Sequence, residues 1–173
     1  MSTSTESKNL YILGDIDDKN SSNIIQDILE DSWINVNTLN LYICSSGGDL
    51  HLTLAMIDLL EYYKERNNFT INTYGFGKIA SGAVFLFLLG DQRLIYPKCR
   101  IYVHEHICVD SDQLPFTEQH ISHKEDIKLN ELYITWIAQR LKISARKSKS
   151  LLRLTKWLTD REIDKYNIVT GRL

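Results

Sequence analysis

The sequence predicts an α/β domain, and three observations carry that reading. A β-rich stretch, Leu39–Cys44, runs through Ser45-Ser46-Gly47-Gly48 into a helical pattern at Leu50–Tyr63. A second, Phe69–Phe76, alternates β-formers with polar residues, stops at glycine, and leads through Gly77-Lys78-Ile79-Ala80-Ser81-Gly82-Ala83 into the apolar run Val84–Leu89. A third, Pro97–His104, precedes the longest helical pattern, residues 117–142. Strand alternating with helix is the signature of the α/β class.

Each element has its own reason. Met1–Lys8 is polar throughout, lacks the apolar core of a secretory signal, and is read as a disordered tail of residues 1–8 ahead of a single domain, 9–173. The run Val84–Leu89 is too short to cross a bilayer, and the small residues before it favour a helix N-terminus there. Ile121, Ile127, Leu129, Leu132, Tyr133, Trp136, Ile137 and Leu141 supply the apolar positions of the long helix, on which His120 and His123 stand three apart. With no third ligand in view, that pair is read as a solvated face, and no metal site or cofactor is expected. Ser144–Lys149 is basic with alternating small residues and no interleaved aromatics, the pattern of a solvated helix surface.

Composition sets the bounds. A chain of 173 residues that is 43% hydrophobic can bury a sizeable core as one domain. A formal net charge of −2 argues against a nucleic-acid partner, no apolar stretch is long enough for a membrane span, and the expected compartment is the cytoplasm. Cys44, Cys99 and Cys108 are an odd set at irregular spacing, each in a strand-like stretch, and read as buried reduced thiols.

Chemistry concentrates at Ser81. It sits where a strand hands over to a buried helix, so its hydroxyl lies beside free backbone N–H groups and the positive end of the helix dipole, which stabilise a developing oxyanion. His104 arrives one strand later and can serve as its base. The paired glycines at 47 and 48 let a backbone N–H approach a ligand closely, although taken alone they read more readily as a plain strand-to-helix loop.

The order Ile-Cys-Ser-Ser-Gly-Gly, Gly-Lys-Ile-Ala-Ser-Gly-Ala, Pro-Lys-Cys-Arg-Ile-Tyr-Val-His resembles the proteolytic subunit of Clp protease, ClpP, over about residues 9 to 170. Leu10–Ile16 looks like that family's first strand, and Trp157–Thr159 with Tyr166–Val169 like its closing segment. The resemblance implies a crotonase-like ClpP fold with repeated β-β-α units and a projecting handle helix at about 117–142. It implies a serine endopeptidase acting on peptides or unfolded polypeptides without ATP, inside a chamber of two stacked seven-membered rings. Carried over by position, Ser81 is the nucleophile, His104 the general base, and the backbone N–H groups of Gly48 and Gly82 the oxyanion hole.

Two departures stand beside the match. Thr155 falls where the family has its triad aspartate, and a hydroxyl can hold an imidazole tautomer but supplies no charge to the imidazolium. Glu105, Asp110, Asp112 and Asp160 are the other acids near enough in sequence to be weighed, with Glu105 expected to face away from its neighbour His104. About eight residues precede the first strand, fewer than the segment with which the family engages an AAA+ unfoldase, so that partner stays open. A weak or inactive subunit that assembles with or modulates another ClpP is therefore the alternative reading. An acyl-CoA enzyme built on the same oxyanion hole is a third, without a CoA-binding signal in the chain.

Overall fold

A computed structural model describes residues 6–30, 32–105 and 116–173. They fall in two compact units, the described residues of 6–102 with 157–173 and those of 103–156.

The first unit begins with strand β1 (Glu6–Ile16), helix α1 (Asp18–Glu30), strand β2 (Val36–Gly48), helix α2 (Leu50–Asn67), strand β3 (Thr70–Ala80) and helix α3 (Gly82–Leu88). Two short strands follow, β4 (Gln92–Ile95) and β5 (Arg100–Val103), the last residue of β5 entering the second unit. The second unit holds helices α4 (Phe116–Leu141) and α5 (Ala145–Leu152), and the chain closes with β6 (Lys156–Trp157), α6 (Asp160–Lys165) and β7 (Gly171–Arg172). Among the described residues the strands make a seven-stranded sheet in the order β1-β2-β3-β4-β7, with β5 paired to β3 beyond the end of β4, and β6 paired to β5. The pairings of β1 with β2, of β2 with β3, and of β3 with both β4 and β5 are parallel, as β-α-β connections require.

Alternation decides which side is core. In β2, Leu39, Leu41 and Ile43 are fully buried, in register with Leu10 and Ile12 of β1 and with Ile71, Thr73 and Gly75 of β3. The opposite face carries matched polar and aromatic rows. Asn40 donates to Asn9 at 3.0 Å and accepts from Asn72 at 3.3 Å, and the next row stacks Tyr11 on Tyr42 and Tyr42 on Tyr74 at 5.5 and 4.9 Å. Burial, then the neighbouring Tyr74, Tyr11 and Tyr96, push the Tyr42 phenol above its ordinary pKa. Every residue of α3 is buried, which explains an apolar run with no polar face.

Several boundaries differ from expectation. Residues 6–8, assigned to a disordered tail, already belong to β1, because Glu6, Ser7 and Lys8 pair with Val36, Thr38 and Leu39. Helix α1 escapes the sequence reading because polar residues surround its few apolar ones, and only Ser21 and Ile28 are buried along it. β3 does not stop at Gly77 but bends there, at φ +62, and continues to Ala80, with Cys44 Sγ 3.0 Å from where a Gly77 Cβ would stand. Cys99 lies in the turn between β4 and β5 and not in a strand, and Cys108 is outside the described residues.

In the second unit α4 runs one residue ahead of the predicted 117–142 at each end. Tyr133, Ile137 and Leu141 of α4 and Ser148, Leu151 and Leu152 of α5 are buried as the two helices pack together. Ser144 caps α5 by accepting from the Lys147 N–H, and Arg146, Lys147 and Lys149 are exposed as expected of a solvated face.

Candidate active site

Ser81 sits at the hinge between β3 and α3 with φ 52° and ψ −127°, a region sparsely populated by any residue with a Cβ. Its N–H donates to the Tyr102 carbonyl at 3.2 Å and its own carbonyl accepts from Val84 at 2.9 Å, so β5 holds it on one side and α3 on the other. Such a turn costs about 1–3 kcal/mol and persists only where the surroundings impose it. A sharp strand-to-helix elbow of this kind lifts a serine hydroxyl clear of the backbone. The Ser81 side chain makes no cap hydrogen bond to α3.

The Gly47–Gly48 turn is pressed against this elbow. A Cβ at Gly47, where φ is +81°, would stand 2.7 Å from Ser81 Cβ, 2.6 Å from Gly82 N and 2.5 Å from the Ala80 carbonyl oxygen. A Cβ at Gly48, where φ is +149°, would stand 2.2 Å from the Ile16 carbonyl oxygen, which also accepts from Asp49 N at 2.7 Å. Both glycines are thus demanded by backbone approach as well as by φ. Gly48 N lies 3.7 Å from where a Cβ on Gly82 would be, so the backbones of 48 and 82 are neighbours, as two donors to one oxyanion must be. The space beside Gly82 is taken by Thr53, whose buried hydroxyl donates to the Asp49 carbonyl at 2.7 Å and stands 2.7 Å from that Cβ position.

His104 and Thr155 belong to the other unit. The Nδ1 of His104 meets the carbonyl oxygen of Glu105. A carbonyl only accepts, so this contact requires the proton on Nδ1 and leaves Nε2 of the neutral ring as the basic nitrogen. The Glu105 carboxylate is engaged by Arg153 Nε at 3.1 Å, an exposed pair. Thr155 follows α5 with φ 45°, an outlying conformation for a β-branched residue, and its N–H donates to Leu152 at 3.3 Å.

Gly48, Ser81 and Gly82 are therefore brought together in one unit, and His104 and Thr155 lie in the other. Of the alternative acids, Asp160 is paired with Arg172 at 3.8 Å in the first unit, and Asp110 and Asp112 are outside the described residues. His123 is exposed, the His120 side chain is outside the described residues, and no group of three metal-binding side chains occurs among those described. Burial, then the neighbouring Cys44, push the Cys99 thiol from 9.0 up to about 12. The Tyr102 carbonyl and Thr53 are parts of the elbow that the sequence did not flag. A backbone acceptor has no residue signature, and a threonine four after a helix cap is commonplace.

The chain is similar to known proteins along nearly its whole length. The family model described as Clp protease matches residues 1–171. An ATP-dependent Clp protease proteolytic subunit of Carsonella ruddii (strain PV) is 27% identical over 121 residues, covering 69% of this chain and 60% of that protein. One of Ostreococcus tauri is 28% identical over 139 residues, covering 76% of this chain and 64% of that protein. The chain thus spans about three fifths of the length of these relatives. Among solved structures, a single-site mutant of ClpP1 from Listeria monocytogenes superposes with a TM-score of 0.78 at 22% identity, covering 96% of this chain and 91% of that one, a likeness of fold.

Proposed function

Because the chain belongs to the Clp protease family, we propose that it is a serine endopeptidase subunit, hydrolysing peptides or unfolded polypeptides without ATP. The observation that carries the reading is the strained Ser81 elbow, with Gly48 and Gly82 gathered at it. Ser81 Oγ attacks the scissile carbonyl carbon while His104 Nε2 takes its proton. The N–H groups of Gly48 and Gly82 hold the oxyanion, and the imidazolium then protonates the leaving amine. Water, activated by the same imidazole, hydrolyses the acyl-enzyme and frees Ser81.

Thr155 stands in the place of the acid. The Glu105 carbonyl supports the tautomer that leaves Nε2 basic, but a dipole compensates the imidazolium less than a carboxylate does. Loss of the acid costs roughly 10⁴-fold in turnover in a well-studied triad, so slow hydrolysis is the expectation here. The protein works as a homo-oligomer of two stacked seven-membered rings that enclose the sites, with a short unfolded chain as substrate and a AAA+ unfoldase as an optional partner.

Hydrolysis of a short fluorogenic peptide is the test. Wild-type turnover lost in both Ser81→Ala and His104→Ala supports the reading, and turnover that survives Ser81→Ala sinks it. Threonine at 155, where the resemblance puts the triad aspartate, favours a second reading, a non-catalytic subunit that enters or modulates rings of another ClpP. Co-assembly with an active ClpP, together with no turnover by this chain alone, would establish that reading in place of the first.

A further inference from the structure

We infer that Trp157 is a positioning residue for Ser81, acting through the carbonyl of Tyr102. The inference rests on the serine peptidase reading and adds to it the device that holds the nucleophile. Ser81 occupies a backbone conformation that survives only where its surroundings over-determine it. On its N-terminal side the backbone is held by the hydrogen bond from Ser81 N–H to the Tyr102 carbonyl at 3.2 Å, so the placing of Ser81 follows the placing of β5.

β5 is a strand of four residues, paired to β3 at Lys78↔Arg100, Ile79↔Ile101 and Ala80↔Tyr102. Its other edge meets the two residues of β6, and the Leu158 N–H donates to the Ile101 carbonyl at 2.8 Å. Ile101, fully buried on the inward face of β5 and paired with buried Ile79, specifies its register there. The indole of Trp157 holds the outward face. Arg100 and Tyr102, two apart, point to one face of β5, and the indole lies against both, with the Tyr102 ring centroid at 5.2 Å and the Arg100 guanidinium 4.8 Å over the ring. One side chain thus covers the full length of β5 that pairs with β3. Trp157 is still 37% exposed, so burial of the core is not what it serves.

Removing the indole frees β5 to drift, lengthens the Ser81–Tyr102 bond and lets Ser81 relax from φ 52°. Displacements near 1 Å from outside the chemistry cost roughly 10²-fold in rate. The experiment compares wild type, Trp157→Ala and Trp157→Phe in the assembled protein, reading Ser81 amide exchange by NMR, fluorophosphonate labelling, and kcat and KM for a fluorogenic peptide.

In Trp157→Ala the Ser81 amide exchanges at least about tenfold faster while the Leu41 and Ile43 amides in β2 keep their protection. Labelling and kcat fall roughly 10²-fold with KM within about twofold, and Trp157→Phe recovers both to within about threefold. An unchanged Ser81 amide, or loss of protection at Leu41 and Ile43 in step with it, overturns the inference. Should Trp157→Ala not fold, Arg100→Met, which removes only the cation from the indole, is read by the same Ser81 amide. Faster exchange there supports the inference, and no change overturns it. A wild-type protein that takes no fluorophosphonate sinks the peptidase reading and the inference with it, whereas labelled wild type with an unmoved Ser81 amide sinks the inference alone.

Discussion

Gly14 and Gly47 have nearly the same φ, +80° and +81°, in very different surroundings, and replacing each by alanine separates two costs. A left-handed conformation costs an L-residue about 1–2 kcal/mol, and both variants incur it. At Gly14 the added Cβ meets only the Asn20 side-chain nitrogen, at 4.0 Å, and nothing more is expected. At Gly47 it would lie 2.5, 2.6 and 2.7 Å from the Ala80 oxygen, Gly82 N and Ser81 Cβ, none of them the end of a flexible side chain. Restoring contacts of about 3.5 Å takes a shift near 1 Å. Overpacking of that kind adds about 1–3 kcal/mol, so Gly47→Ala should cost about 2–5 kcal/mol against about 1–2 for Gly14→Ala. At roughly 2–4 °C per kcal/mol for a chain of this length, the melting temperatures separate by about 2–12 °C. The shift also moves the Gly48 and Gly82 backbone N–H groups relative to Ser81, and on the proposed mechanism fluorophosphonate labelling should fall roughly 10²-fold in Gly47→Ala alone. Thermal melts and labelling rates of the two variants side by side decide the matter. Equal melting temperatures, or a Gly47→Ala protein labelled at the wild-type rate, would refute the claim that this turn is packed against Ser81.

Three further outcomes follow from the same geometry. Thr155→Asp should stabilise the fold by about 1 kcal/mol, since Asp tolerates positive φ better than a β-branched residue, and should raise peptide turnover by up to roughly 10⁴-fold. Stability gained with turnover unchanged would remove Thr155 from the acid's place. Gly82→Ala should cost about 1–3 kcal/mol through Thr53 Oγ1, and adding Thr53→Ala should recover part of it, which a double-mutant cycle by urea denaturation measures. Cys99 keeps its proton to about pH 12 when folded while the unfolded chain releases it near 9.0, so above pH 9 the folded state binds more protons and stability falls as pH rises. Urea titrations across that range should show a flatter decline in Cys99→Ala.

The sequence disclosed most where side-chain pattern and backbone need coincide. The strand–glycine–helix junction at 48 was legible because the chain can pass that point only with a residue lacking a Cβ, and the long helix because its apolar positions repeat over many turns. Helix α1 was not, because apolar residues are few along it and only Ser21 and Ile28 are buried. β3 outran its predicted end because Gly77 bends the strand without ending it, and composition does not tell a bend from a stop. At the elbow, Ser81 was visible as a residue type in a context, but its tether to the Tyr102 carbonyl is a backbone contact between distant segments that no residue type announces.

The most direct measurement is the intact mass of the protein after incubation with a fluorophosphonate, followed by mapping of the modified peptide. A single adduct on Ser81 is expected, absent in Ser81→Ala and formed far more slowly in His104→Ala. A folded wild-type protein that takes up no adduct, or takes it up elsewhere than Ser81, would contradict this expectation.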